Sequence, residues 1–232
     1  MIIDIRGTGI SYFLWASKRQ VWHSLSEKTL RVHQLARWMG LKETPFNKIW
    51  LDPCHHQEAE QLLPVGSTYI AFAPTANWDK KCWPLEHFVD LGKKLLQDKK
   101  KFPNGKIIIL GTSDQRANLD SLFKAFKPEE IIDLMGQVSL PTLSACLSRC
   151  ALFVGNDSGL MHLASASNTP TIGLFGPSPV DVYGPWGEKT ASISLNDDQS
   201  EILGRIEKGE SVMRDITVDS VHKKINELLK NS

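Results

Sequence analysis

From residue 69 to residue 195, short apolar runs alternate with amphipathic helical stretches, and this alternation restricts the fold more than any other feature of the chain. Strands are expected at 69–73, 107–110, 131–134, 151–154, 171–175 and 191–195. One helix follows Pro84, with Phe88, Leu91, Leu95 and Leu96 on a single stripe. Another spans 115–126, with Leu119, Leu122 and Phe126 inward. Two more are expected at 140–148, with Pro141 in the first turn, and at 160–166. The closing helix, 218–229, carries Val218, Val221, Ile225, Leu228 and Leu229 on one face. Strands this uniformly apolar are buried on both sides, which implies a parallel sheet covered by helices. Ligands of such sheets bind beyond the carboxyl ends of the strands. Three loops leave those ends with unusual chemistry: Pro74–Pro84, Gly111–Arg116 and Gly155–His162. All three are expected to face one crevice.

The last of these loops is the richest. Gly155-Asn156-Asp157-Ser158-Gly159-Leu160-Met161-His162 joins a strand to a helix made of small residues. Asp157 and Ser158 are good N-caps, and the glycines allow a sharp turn and close approach of a ligand. A helix that starts at a strand end points free N–H groups outward, toward an anion such as a phosphate. The loop 74–84 is long for a strand-to-helix connection. It offers the small polar segment Thr75-Ala76-Asn77 and two lysines, Lys80 and Lys81. A lysine here acts as a point cation toward phosphate.

Composition narrows the classes. With 27 basic against 26 acidic residues, the net charge of +1 lacks the basic excess of a general nucleic-acid binder. Residues 1–51 differ from the rest, with eight Lys or Arg against three acids and four of the seven tryptophans. Such residues build either an ordinary core with solvated charges around it or a basic, aromatic surface for an anionic partner or lipid head groups. Four cysteines (Cys54, Cys82, Cys146, Cys150) make no disulfide framework in a chain of 232 residues. Cys146 and Cys150, four apart, are expected on one face of a helix. No second Cys or His pair stands at zinc spacing, so no metal is expected. No apolar run is long enough to span a bilayer, and Ile10–Ala16 lacks the cleavage site of a signal peptide. A cytoplasmic protein with reduced thiols is the expectation.

The front of the chain is less regular. A strand is expected at 2–5, a Gly turn at 7–9, a helix over 28–39 ending at Gly40, and a short helix over 57–63. Leu63-Pro64-Val65-Gly66-Ser67 reads as a linker. The expected division is therefore 1–66 and 67–232.

Lys81-Cys82-Trp83-Pro84, Gly111-Thr112-Ser113-Asp114 and Asp157–Leu163 stand in this order, followed by Thr169-Pro170, Phe175-Gly176-Pro177 and Tyr183-Gly184-Pro185. Together they resemble glycosyltransferase family 9, the ADP-heptose:lipopolysaccharide heptosyltransferases, over roughly residues 67–190. The resemblance implies an α/β, GT-B-type architecture: a complete Rossmann-like C-terminal domain with a parallel sheet, plus a partial N-terminal α/β domain. It implies a nucleotide-diphosphate sugar donor, a lipopolysaccharide core or related glycolipid acceptor, transfer with inversion, peripheral contact with the inner membrane surface, and no cofactor. Lys81 would hold the diphosphate. Thr75, Ala76, Asn77, Asp157, Ser158, Gly159 and His162 would complete the donor site, and Asp114 would reach the ribose. Because a carboxylate repels a diphosphate, Asp157 is expected to cap its own helix or to take a sugar hydroxyl.

One departure is plain. The family's catalytic base is an Asp in a Gly-Asp motif after the first strand, and no Gly-Asp pair occurs in this sequence. The catalytic residue is thus unassigned, and Asp4, within a strand, is a poor substitute. The chain reads as a family member lacking the front of its N-terminal domain, with a non-catalytic nucleotide-sugar-binding remnant as the alternative. Two other patterns are weaker. Gly7-Thr8-Gly9 half-matches a dinucleotide fingerprint but has Tyr12 in the place of the third glycine. Gly155–Gly159 resembles a nucleophile elbow with Asp157 in the serine place, for which His222 is the sole later histidine.

Overall fold

The computed structural model describes residues 2–4, 19–22, 28–195 and 198–230. They fall into two compact units divided at Pro45/Phe46. In the first, β1 (Ile2–Asp4) pairs in parallel with β2 (Arg19–Val21). Helix α1 (Arg31–Trp38) follows, with Gln34 and Ala36 buried. The Gln34 amide donates to the Thr29 carbonyl at 2.8 Å. The Arg31 guanidinium lies 4.6 Å from the centre of the Trp22 ring, a cation–π contact. The expected Gly turn at 7–9 and the half-match ending at Tyr12 lie outside the described residues.

The second unit is built on a six-stranded, all-parallel sheet in the order β5-β4-β3-β6-β7-β8. Its strands are β3 (Thr68–Ala73), β4 (Gly105–Ile109), β5 (Ile131–Asp133), β6 (Cys150–Asn156), β7 (Thr171–Phe175) and β8 (Thr190–Ser194). Counted from the first strand of this sheet, the order is 3-2-1-4-5-6, that of Rossmann domains. The chain reverses its direction of winding between β3 and β6, where Ala73 pairs with Gly155 at the carboxyl ends.

The strands form because every residue has a covered face to occupy. Along β3, Ile70 and Phe72 enter one core while Tyr69, Ala71 and Ala73 enter the other, the two-residue period of a strand. Along β6, Leu152 and Val154 face one side and Phe153 the other. The first core is closed by α3 (Leu85–Gln97), α4 (Asp120–Lys124) and α9 (Val218–Lys230). The second is closed by α2 (Pro53–Leu62), α5 (Leu140–Ser148) and α6 (Gly159–Ala166). Helix α5 starts where Ser139 caps it, accepting from the Thr142 amide at 3.2 Å, with Pro141 in its first turn. The short helix α7 (Val180–Tyr183) and α8 (Gln199–Glu207) complete the unit.

Several expectations are corrected. Segment 46–66, assigned by sequence to the first part, packs within the second unit. Ala59 and Leu63 of this segment are buried in its core, Glu58 accepts from the Thr142 hydroxyl at 2.6 Å, and the Arg149 Nε donates to the Leu63 carbonyl at 3.0 Å. Helix α2 also starts earlier than expected, because Pro53 suits a first turn and the Asp52 amide donates to His55 Nδ1. Leu63–Ser67 is no loose linker, since the Tyr69 hydroxyl donates to the Pro64 carbonyl at 2.6 Å and Asn104 to that of Gly66 at 3.1 Å. The helix expected at 115–126 is a 3₁₀ helix, Ser113–Leu119, running into α4. Cys146 and Cys150 do not share a helix face: α5 ends at Ser148 and Cys150 begins β6. Burial pushes both thiols up, Cys146 to about 11 and Cys150 further.

Phe88 ties α3 to the sheet. It is fully buried, 5.4 Å from the Phe72 ring and 4.9 Å from Trp83. Phe88→Ala should lower unfolding stability by about 3–5 kcal/mol, read as a shifted urea midpoint at unchanged slope.

Candidate functional site

The winding reversal leaves a crevice at the carboxyl ends of β3 and β6, the place where α/β sheets bind ligands. Two adjoining cavities occupy it. The larger, of about 590 Å³, is lined by Thr75 and Ala76 from the loop after β3, by Gly111–Ser113 and Gln115 after β4, and by Ser158, Gly159, Leu160 and Leu163 around the start of α6. Leu134, Val138, Leu140 and Leu143 form its apolar wall. The smaller, of about 280 Å³, is lined by Trp78, Lys81, Asp157, His162 and Tyr183. Asn77, Ser158 and Gly159 line both. The three loops singled out in the sequence thus meet in one place.

Buried polar contacts hold the loops. Asn156, fully buried at the end of β6, accepts the Trp83 amide at 2.9 Å. The Trp83 indole donates to the Ile216 carbonyl at 2.8 Å, and its ring meets Phe88 and His87 edge-on. These contacts fix the end of the 74–84 loop. Its 3₁₀ turn, Asp79–Lys81, carries the lysine. Farther along the crevice, the Thr75 hydroxyl donates to Gln115 Oε1 at 2.7 Å. Glycine is required where these loops crowd. A Cβ at Gly111 would sit 2.6 Å from Met135, and Gly136, at φ +65°, lies against the Ser113 backbone.

Helix α6 begins in the crevice. Ser158 is its N-cap in extended conformation, with no side-chain cap bond, and the Ser158 hydroxyl is buried without a hydrogen-bond partner among the described residues. The Met161 amide donates to the Ser158 carbonyl at 3.2 Å, while the Gly159 and Leu160 amides before it have no intrahelical acceptor. A Cβ added to Gly159 would meet no atom within 4 Å. That position therefore opens onto the cavities rather than onto packed protein.

Lys81 Nζ donates to Asp157 Oδ2 at 2.7 Å, with the Asp157 side chain only 10% exposed. The expectation that Asp157 caps its own helix is thereby corrected: the carboxylate is turned across the crevice to the lysine. Burial pushes the His162 imidazole below its ordinary value, opposed by the nearby Asp157 charge, so the ring is neutral at pH 7. Asp114 is exposed on the 3₁₀ helix and lines neither cavity, although its neighbours Ser113 and Gln115 line one. Lys80 and His222 line neither. His222 stands on α9 beside Asn226, so Asp157 has no hydrolase-type partner there.

Sequence reasoning missed Asn156 as the anchor, and Gln115, Trp78 and Tyr183 as cavity residues. Tyr183 was visible as part of Tyr183-Gly184-Pro185. The others carried no signal apart from their loops.

Winding order and crevice define a Rossmann-like α/β domain, the unit from which GT-B folds are built. The family model of glycosyltransferase family 9 (heptosyltransferase) matches residues 7–210, and the chain belongs to that family. It is 29% identical to lipopolysaccharide heptosyltransferase 2 of Escherichia coli K12 over 172 residues, covering 69% of this chain and 46% of that protein. It is 30% identical to lipooligosaccharide heptosyltransferase 2 of Haemophilus influenzae over 183 residues, covering 74% and 50%. A solved E. coli ADP-heptose lipopolysaccharide heptosyltransferase II superposes with a TM-score of 0.71 at 22% identity, covering 90% of this chain and 65% of that one. The chain spans about half the length of the curated relatives it matches. No helix among the described residues is long and apolar enough to cross a membrane.

The depressed His162 value has a measurable consequence. A buried imidazole that resists protonation stabilises the fold fully above its unfolded value of 6.5, and this contribution is lost as pH falls through the lower folded value. Between pH 7 and pH 5, His162→Gln should therefore lose less stability than the unsubstituted protein in urea titrations. Some slope should remain, because His222 is shifted in the same direction.

Proposed function

We propose that the chain carries the donor site of a family 9 glycosyltransferase that moves a heptosyl group from ADP-heptose to a lipopolysaccharide core acceptor with inversion. The observation that carries this reading is the convergence of Lys81 and the start of α6 on the smaller cavity, beside a larger one with no charged lining. A diphosphate fits the smaller cavity, where backbone N–H groups, the helix dipole and the Lys81 ammonium favour negative charge. The uncharged larger cavity, apolar on one wall and polar on the other, suits the nucleoside. Thr75, Ala76 and Asn77 would flank the nucleotide, and Ser158, Gly159 and His162 the diphosphate and sugar. During transfer, charge grows on the departing nucleoside diphosphate, and a preorganised cation and helix start stabilise it. All the lining residues lie within the second unit, which we assign as the donor-binding part, with 1–45 on the acceptor side. Asp114 is kept out of this assignment by its exposure away from both cavities.

ADP-heptose is the donor named for the superposed E. coli enzyme, and the relatives named above are lipopolysaccharide or lipooligosaccharide heptosyltransferases. We place the protein in the cytoplasm, with the basic residues of 1–51 meeting anionic lipid at the inner membrane surface. Isothermal titration with ADP-heptose tests the donor site. Lys81→Ala should weaken binding at least about tenfold, or ~1.4 kcal/mol, and unchanged affinity would overturn the placement of the diphosphate.

A second reading is favoured by one sequence fact, the absence of any Gly-Asp pair to supply the family's base. On that reading the chain binds the nucleotide-sugar without turnover. Incubation with ADP-heptose and a heptose-deficient lipopolysaccharide core separates the two. Transfer detected by mass spectrometry supports the enzyme, and saturable binding with no transfer supports the non-catalytic form.

A further inference from the structure

A site for a diphosphate is expected to carry net positive charge, and the described residues that line this one do not supply it. Of the described side chains lining the two cavities, Lys81 and Asp157 are the charged ones, and they are bonded to each other at 2.7 Å. His162, the third titratable group in the smaller cavity apart from Tyr183, adds no charge at neutral pH, because burial holds it neutral. The lysine is therefore already neutralised before a ligand arrives. The attraction left for an anion is that of the α6 amides and their dipole.

We infer that Asp157 is a specificity-determining counter-anion that sets the site against bare nucleoside diphosphate and in favour of the intact sugar nucleotide. This rests on the donor-site reading above and adds to it a basis for discrimination. The two ligands differ in charge. A free nucleoside diphosphate has a terminal phosphate that is largely doubly ionised at neutral pH, because its second pKa is about 6. In the sugar nucleotide that phosphate is esterified and keeps one charge. Repulsion from the buried Asp157 carboxylate is larger for the free diphosphate. Lys81 offsets it only in part while one of its three N–H donors is held by Asp157, and its full departure would strand a carboxylate that is 10% exposed. The intact donor differs in a second way, because its sugar brings hydroxyl donors from which a carboxylate can accept strong hydrogen bonds. Asp157 then gains a replacement partner and Lys81 is released to the phosphates. After transfer that partner leaves with the sugar, the ion pair re-forms, and the nucleoside diphosphate is held weakly.

Paired titrations of ADP and ADP-heptose into the unsubstituted protein and Asp157→Asn test this. Removing the charge should tighten ADP binding by about tenfold or more and weaken ADP-heptose binding through the lost charge-assisted hydrogen bonds, so that the preference for intact donor collapses. A gain in affinity is not what a misfolded or loosened site produces, and Asp157→Ala should show the same gain. Unchanged or weaker ADP binding in both variants, with normal ADP-heptose binding by the unsubstituted protein, overturns the inference and leaves the donor-site reading standing. Failure of the unsubstituted protein to bind ADP-heptose overturns both.

Discussion

A buried hydrogen bond, from the Trp83 amide to the Asn156 side chain, holds the crevice in shape. Its two ends come from the loop after β3 and from the last residue of β6, the strands between which the winding reverses. Asn156 is fully buried, so its carboxamide oxygen would be costly to leave unpaired, and the loop amide is drawn in to meet it. Lys81 sits two residues before Trp83, and Asp157 one residue after Asn156. Fixing the one pair brings the other within reach. The ion pair across the cavity thus follows from a neutral contact beneath it.

That order of causes bears on how charge is used at the site. A surface lysine contributes little to an ion pair, because water screens it and its long side chain must be immobilised. Here the carboxylate is largely withdrawn from water while the ammonium keeps partial access. The pair is asymmetric, with the better-buried partner acidic. Against it stand the amides of a helix that starts with an extended N-cap, an unpartnered serine hydroxyl and a glycine that leaves room above it. The cavity therefore combines a fixed dipole, which cannot move, with an ammonium that can exchange partners.

Much of this arrangement could be read from the chain because its signals are local. The uniformly apolar runs of β3, β6 and β7 announce strands covered on both faces, and Ser139 with Pro141 marks the start of α5 to the residue. The loops that meet in the crevice follow from topology, since parallel strands in such a sheet deliver all their carboxyl ends to one edge. What could not be read depends on side-chain direction. Nothing in Asp157-Ser158-Gly159 says that the aspartate turns away from its own helix, because a cap and a cross-crevice pair need the same residue. Asp114 follows the same limit: a 3₁₀ helix begins one residue earlier, at Ser113, and sends Ser113 and Gln115 to the cavity while Asp114 faces water. Segment 46–66 was misplaced for another reason. A Pro-Gly stretch resembles a boundary, but the apolar residues ahead of it, Ala59 and Leu63, have their covering surface on α5 and β3.

The Trp83 indole reaches to Ile216, a residue 133 positions later in the chain. Closing so long a loop is entropically slow compared with forming local contacts. During synthesis from the amino terminus, β3 and α3 emerge well before the segment that supplies the Ile216 carbonyl. The loop bearing Lys81 therefore receives one of its anchors from a segment that leaves the ribosome 133 residues after it. Full anchoring of the loop waits on residue 216, and until that residue emerges the lysine rides on a loop that lacks one of its two buried contacts.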